Sequence, residues 1–405
     1  MTHYVLDLSR LIANADKPAP TGIDRVELAY AREFLNYPAD QVSFAAETPW
    51  RRFGGLDRAR VEAFITALTV QWHDGGRRGE TRSIAGALCR AVWLGGERRL
   101  FARLRSALGP IIYLNVSHHH LERPGSILTL RQRANVRFLP LVHDLIPVQF
   151  PEYVRPDQDA VHARRLDTVA RFADAIVVNS QATAQAMAPL LAASGREREV
   201  LVAPLGLDLP SAPPASLGRI APPYFICIGT IEPRKNHLLL LTLWRQLQQK
   251  YGDAIPHLVL VGRRGWENEN VVDLLERCPG LQGKVHEFGD LTDVETAQLL
   301  RDAQALLLPS FAEGYGLPLI EAIALGVPVL CSDIPVFREV GGRVPEFIDP
   351  LDGRSWRQAV IDYSNNESHR RRTQLLRMAG RPIPVWSRHF ELVAALLDRV
   401  AARQA

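Results

Sequence analysis

Short apolar runs alternating with helix-length amphipathic segments constrain this chain more than any other feature. From residue 224 the order is strand 224–228, helix 237–250, strand 257–261, helix 270–278 and strand 284–288, then helix 294–303, strand 305–308, helix 317–324 and strand 328–331. Strands that each give way to one helix predict a parallel sheet wound on both faces, because parallel neighbours need a crossover connection. The N-terminal half repeats the theme with candidate strands at 4–8, 111–114, 138–142 and 175–178. A helix opens at Thr21-Gly22 and runs through Leu35, with Val26, Ala29, Tyr30 and Phe34 on one apolar face, and another begins near Thr183. The Pro- and Ser-rich stretch 210–214 reads as a linker. A chain of 405 residues is long enough for two cores. The expected division is 1–205 and 206–385, two Rossmann-like α/β domains facing across a cleft. Ligands of such sheets sit beyond the carboxyl ends of the strands, so the loops there are where chemistry is sought.

Composition narrows the setting. The apolar and charged fractions, 47% and 23%, are those of a folded globular protein. The net charge of +4 is carried almost wholly by arginine, since Lys17, Lys235, Lys250 and Lys284 are the only lysines. Cys89, Cys227, Cys278 and Cys331 are scattered without metal-ligand spacing, and Cys227 and Cys331 lie in apolar runs, which implies buried thiols and a reducing compartment. The N-terminal residues lack the basic and apolar regions of a signal peptide, and no run approaches the ~20 apolar residues of a membrane span. The expectation is a cytoplasmic protein, free or peripheral on the inner face of the membrane. Residues 77–105 bear on that. Arg77, Arg78, Arg82, Arg90, Arg98, Arg99, Arg103 and Arg105 alternate with Leu88, Val92, Trp93, Leu94, Leu100, Phe101 and Leu104. This pattern predicts a basic amphipathic helix that either rests on an anionic leaflet or packs on its own domain.

Four loops carry the candidate chemistry. After strand 305–308 comes Pro309-Ser310-Phe311-Ala312-Glu313-Gly314-Tyr315-Gly316, and a helix starts near Leu317 with Glu321 one turn in. Glycines let the backbone approach a ligand, and a helix start favours a diphosphate. Glu313 and Glu321 can accept hydrogen bonds from separate hydroxyl groups of one extended ligand. After strand 224–228 comes Gly229-Thr230-Ile231-Glu232-Pro233-Arg234-Lys235-Asn236. Arg234 and Lys235 there can neutralise a departing nucleoside diphosphate. In the N-terminal half, Gly22 opens the first long helix, and His143-Asp144 follows strand 138–142. A neutral His143 can bond a ligand hydroxyl, with Asp144 fixing its tautomer or orienting a second ligand. His118-His119-His120 cannot easily converge on one ion, and Asp157-Gln158-Asp159 reads as the N-cap of a helix, so no metal site is expected. No G-x-G-x-x-G follows a strand, which excludes a nicotinamide-dependent dehydrogenase.

The segment 308–333, with its Glu-x7-Glu spacing at Glu313 and Glu321, resembles the donor site of family 4 glycosyltransferases, which have the GT-B fold. The resemblance implies a metal-independent, retaining hexosyltransferase that uses a nucleotide-sugar donor and no other cofactor. It assigns Glu313 to the sugar, Glu321 to the ribose, and the amides of Tyr315, Gly316 and Leu317 to the sugar and distal phosphate. Gly229, Thr230, Arg234, Lys235 and Gly22 would face the phosphates, although the family often has Arg where Thr230 stands. Leu291 and Asp293 would meet the base. Asn115 and His118 would line the acceptor side, and a last helix over about 386–405 would cross back onto the first domain. Donor and acceptor are expectations by family association: GDP-mannose first, UDP-glucose or UDP-galactose otherwise, and a glycan on a polyprenyl diphosphate. A sugar-nucleotide epimerase fits these motifs poorly, and a non-catalytic scaffold would be expected to have lost some of them.

Overall fold

The computed structural model describes residues 1–48, 50–209 and 220–403, so the linker expected at 210–214 lies outside the described residues. The chain forms two compact units. The first comprises Met1–Val148, Asp157–Gly206 and Pro384–Ala405; the second comprises Gln149–Pro156 and Leu207–Ile383.

The first unit is built on strands β1 (His3–Asp7), β2 (Val42–Glu47), β3 (Phe53–Leu56), β4 (Ile111–Asn115), β5 (Arg137–Val142), β6 (Ala175–Val178) and β7 (Glu199–Val202). They lie in the order β3-β2-β1-β4-β5-β6-β7. All pairs are parallel except β2 with β3, an antiparallel hairpin at one edge. The interior strands read as continuous apolar runs because helices bury both faces. Strand order reverses between β1 and β4, which places the loops after these two strands on either side of a crevice. Helix Trp386–Ala402 completes this unit. The Tyr30 hydroxyl and His389 Nε2 are 2.8 Å apart inside it, and an added Cβ at Gly206 would strike Trp386.

The second unit holds β8 (Tyr224–Ile228), β9 (His257–Val261), β10 (Val285–Phe288), β11 (Leu306–Leu308), β12 (Val329–Ser332) and β13 (Glu346–Ile348). Their order is β10-β9-β8-β11-β12-β13, all parallel, and the reversal falls between β8 and β11. Its core joins Phe225, Trp244, Leu258, Leu307, Leu330 and Trp356. Cys227 and Cys331 are buried, and burial pushes the Cys227 thiol up to about 12.

Three sequence expectations need correction. Residues 77–105 are not one helix but two, Arg78–Ala91 and Glu97–Arg105, broken where Leu94 leaves helical geometry and Gly95 takes φ +92. The break fits the β2–β3 hairpin, because Gly54 lies so near Gly96 and Glu97 that a Cβ would stand 2.6 Å from the Glu97 nitrogen. Leu88, Val92, Leu100, Phe101 and Leu104 are buried in the unit, so the apolar face is already used for packing. Asp157 does occupy the N-cap position of helix Gln158–Phe172, but in a left-handed conformation and without a side-chain cap bond. Asp144 does not fix the ring of His143; its carboxylate accepts from the Ile146 amide instead.

Candidate active site

The carboxyl ends of β8 and β11 flank the reversal point of the second sheet, and the two expected loops meet there. Pro233–Lys235 forms one turn of 3-10 helix, with Asn236 left-handed before helix His237–Tyr251. That turn aims Arg234 and Lys235 at the loop after β11. Lys235 Nζ donates to Glu313 Oε1 at 2.5 Å, and Arg234 Nη1 lies 2.8 Å from Glu313 Oε2. Arg234 also donates to the Ala312 carbonyl at 2.6 Å and to Glu232 Oε1 at 2.5 Å, so it does not point to solvent. The Ser310 hydroxyl donates to Glu313 Oε1 at 2.7 Å.

Two cations thus share two carboxylates in a largely buried cluster. Burial alone would raise the pKa of Glu313, but Arg234, Lys235 and their hydrogen bonds hold it down at about 2. Glu313 is therefore a fixed carboxylate at neutral pH, a weak base and a good hydroxyl acceptor. Glu232 was not singled out in the sequence. Its role as the counter-charge that orients Arg234 depends on the fold of the turn, although its place in Glu-Pro-Arg-Lys-Asn was the available signal.

Gly316 caps helix Leu317–Ala324 at φ +98, and a Cβ there would come within 2.8 Å of the Phe337 ring. Only glycine takes this turn without strain. Pro318 has no N–H and the Leu319 amide bonds the Gly316 carbonyl at 3.0 Å, so the amides of Gly316 and Leu317 are the donors this helix start can offer a ligand. Gly314 precedes this turn, Tyr315 is buried, and Glu321 lies half-buried within the helix. Gly229 bonds the Val261 carbonyl at 2.8 Å, which leaves Thr230 packed beside Gly265. Leu291 is buried, and Asp293 is the first residue of helix Asp293–Arg301, which Thr292 and Glu295 cap reciprocally. The structure places these two just after β10, on a segment that makes no contact described for the Glu313 cluster.

In the first unit, the loops after β1 and β4 flank the reversal point. Gly22 begins helix Gly22–Leu35, with Thr21 and Asp24 forming a capping box. Asp24 is fully buried and accepts from Arg10 Nε at 2.6 Å and Asn14 Nδ2 at 2.7 Å. After β5, His143 is buried with Nε2 2.7 Å from the Val116 carbonyl, and burial lowers its pKa to about 4. A neutral ring that donates from Nε2 to a carbonyl carries its acceptor at Nδ1. His118 lies beneath it rather than on an open wall. Its Nε2 accepts the His143 amide at 3.2 Å, and its ring meets those of His143 and His162 edge to face. Asn115 reaches the His119 carbonyl at 3.2 Å and so shapes its own loop. Asn179 and Thr183 hold the His143 carbonyl, and His162 holds that of Asp144. These braces come from distant segments and were not evident in the sequence. Among the described residues no group of three metal-ligating side chains converges.

Both the sequence and the fold have known counterparts. Residues 216–374 match the family described as Glycosyl transferases group 1. The chain is 30% identical over 220 residues to the serotype-specific mannosyltransferase WbdA of Escherichia coli, a stretch that covers 49% of this chain and 26% of that protein. It is 39% identical over 129 residues to O-antigen chain mannosyltransferase B of the same organism, covering 32% and 33% of the two chains. The chain therefore spans only about a quarter to a third of these relatives. Among solved structures, Anabaena Alr3699/HepE in complex with UDP and glucose aligns over 98% of this chain and 100% of its own, with TM-score 0.63 and 16% identity. Sucrose-phosphate synthase from Thermosynechococcus elongatus aligns over 99% of both, with TM-score 0.61 and 16% identity. Such likeness speaks to the fold. Residues 216–374 are thus similar to glycosyl transferases group 1, and the α/β fold is of the GT-B class.

Proposed function

We propose that this protein is a retaining, metal-independent hexosyltransferase that moves mannose from GDP-mannose onto a glycan acceptor in polysaccharide assembly. The observation that carries the reading is the cluster of Lys235, Arg234 and Glu313 at the reversal point of the second sheet. Paired cations beside a carboxylate of pKa about 2 suit a ligand that joins a diphosphate to a polyhydroxylated ring. Lys235 and Arg234 take the charge that grows on the diphosphate as its bond to the sugar breaks. Glu313 accepts sugar hydroxyls and does not serve as general base, because a base is most effective with a pKa near the working pH. The departing diphosphate then removes the proton of the acceptor hydroxyl on the same face of the sugar, and the protein contributes orientation and charge. His143 offers Nδ1 to a hydroxyl. The names of the mannosyltransferase relatives favour mannose, and GDP-mannose follows from the same association.

The acceptor in this reading is carried on a polyprenyl diphosphate, and the protein meets it at an anionic membrane surface. No helix among the described residues is long and apolar enough to cross a membrane. What supports surface contact is the break between the two basic helices, where Trp93 is 53% exposed and Leu94 79%, with Trp50 (68%) edge-on to Trp93.

A thermal-shift panel of GDP-, UDP-, ADP- and dTDP-sugars, without added metal, tests the donor. GDP-mannose is expected to stabilise selectively, by about 2.7 kcal/mol at a hundredfold excess over Kd. Selective stabilisation by a UDP-sugar would replace the donor while keeping the reaction class. No response from a folded protein would favour a non-catalytic scaffold.

A further inference from the structure

We propose that Tyr153 is a positioning residue for the donor loop, its ring holding the stretch of backbone that presents Glu313. The inference rests on the reading of Glu313, Arg234 and Lys235 as the donor-binding group.

The segment Gln149–Pro156 stands out because of where it belongs. The residues on both sides of it are in the first unit, yet it packs with the second. It lies outside the matched family segment 216–374, and no motif considered above uses it. Three contacts fasten it. The Tyr153 ring stacks on Phe311 with centroids 5.4 Å apart and planes 6° from parallel. The Trp266 indole N–H donates to the Tyr153 carbonyl at 3.1 Å, and the Arg155 guanidinium lies 5.2 Å from the centre of the Trp266 ring. Phe150 stacks on the other side of the sequence, 6.1 Å from Tyr153.

Both anchors sit on loops of the candidate site. Phe311 is two residues before Glu313, and its amide donates to the Arg234 carbonyl at 2.9 Å. Trp266 lies on the loop after β9. There the Gly265 amide and the Asn268 side chain both donate to the Ile231 carbonyl, at 2.9 and 2.7 Å, in the loop that carries Arg234 and Lys235. The strap therefore bears on both loops whose side chains meet at Glu313. A loop already ordered need not be ordered by its ligand, so affinity rises without a new ligand contact. Loss of one aromatic stack is worth about threefold to tenfold.

Tyr153→Ala, Tyr153→Phe and Phe311→Leu test the assignment by hydrogen exchange and donor kinetics. In Tyr153→Ala, exchange is expected to quicken over 310–316 and stay unchanged over 224–228. Donor KM should rise about threefold to tenfold, with a smaller change in kcat. Tyr153→Phe should restore both, since stacking does not use the hydroxyl. Wild-type exchange and KM in Tyr153→Ala would overturn the proposal, as would a Tyr153→Phe variant equally impaired. If Tyr153→Ala unfolds, exchange over 224–228 rises as well, and Phe311→Leu decides. A local rise at 310–316 then supports the strap, and a wild-type pattern overturns it. Should the wild-type protein bind no nucleotide-sugar, the functional reading fails, while the exchange data still decide whether Tyr153 holds the loop.

Discussion

Individual side chains in this protein separate cleanly into those fixed as charges and those held neutral. Glu313 is the clearest of the first kind. Lys235→Ala removes one of its two cations and the ammonium proposed to face the leaving diphosphate, so kcat should fall about 10²- to 10³-fold. Steady-state kinetics on a variant of unchanged melting temperature measures this. Glu321→Ala should instead raise donor KM. Glu27 is of the second kind. It is fully buried on helix Gly22–Leu35, where it accepts the Leu11 amide at 3.1 Å. Burial and the neighbouring Asp7 push its carboxyl up from 4.5 to about 8. The folded state then holds a proton that the unfolded chain releases. The stabilising contribution is complete below the ordinary carboxylate range and is lost as pH rises toward 8. Melting temperature should therefore decline from pH 5 to pH 8, and Glu27→Gln should flatten the decline by an amount on the order of a few kcal/mol. A profile of the same slope in both proteins would remove Glu27 as its cause.

Elements were legible where they repeat and illegible where they depend on distant partners. Strands β8 to β12 could be read because an apolar run bounded by turn residues, followed by a helix period, has few other solutions. The Glu313 loop was legible for a related reason, since glycines and a helix start mark it locally. Edge strand β3 gave no such signal. Phe53–Leu56 is Phe-Gly-Gly-Leu, which has no strand pattern and becomes one only by pairing with β2. The helix break at Leu94–Gly95 was equally hidden, because it is set by the close approach of Gly54 to Gly96. This break localises the membrane prediction. With the remaining apolar face packed inside, Trp93→Ser combined with Leu94→Ser should abolish flotation with anionic vesicles while leaving binding to soluble donor intact. Flotation of the wild type should weaken with salt. Undiminished flotation of the double variant would place the contact elsewhere.

At the scale of the molecule, the two units differ in how the chain composes them. The first needs three separate stretches, and its last piece is helix Trp386–Ala402. A chain ending at 383 would lose the Tyr30–His389 contact and the cover over Gly206. Such a truncation should raise hydrogen exchange in β1, β4 and β7, while β8, β9 and β11 keep their protection. Uniform loss in both sheets would show that neither unit holds together without the other. The same interleaving has a consequence in time. A chain made from its N-terminal end exposes Tyr153 long before Phe311 and Trp266 exist to receive it, and Tyr30 waits for His389 through the making of an entire second sheet. The unit begun first is the one closed last.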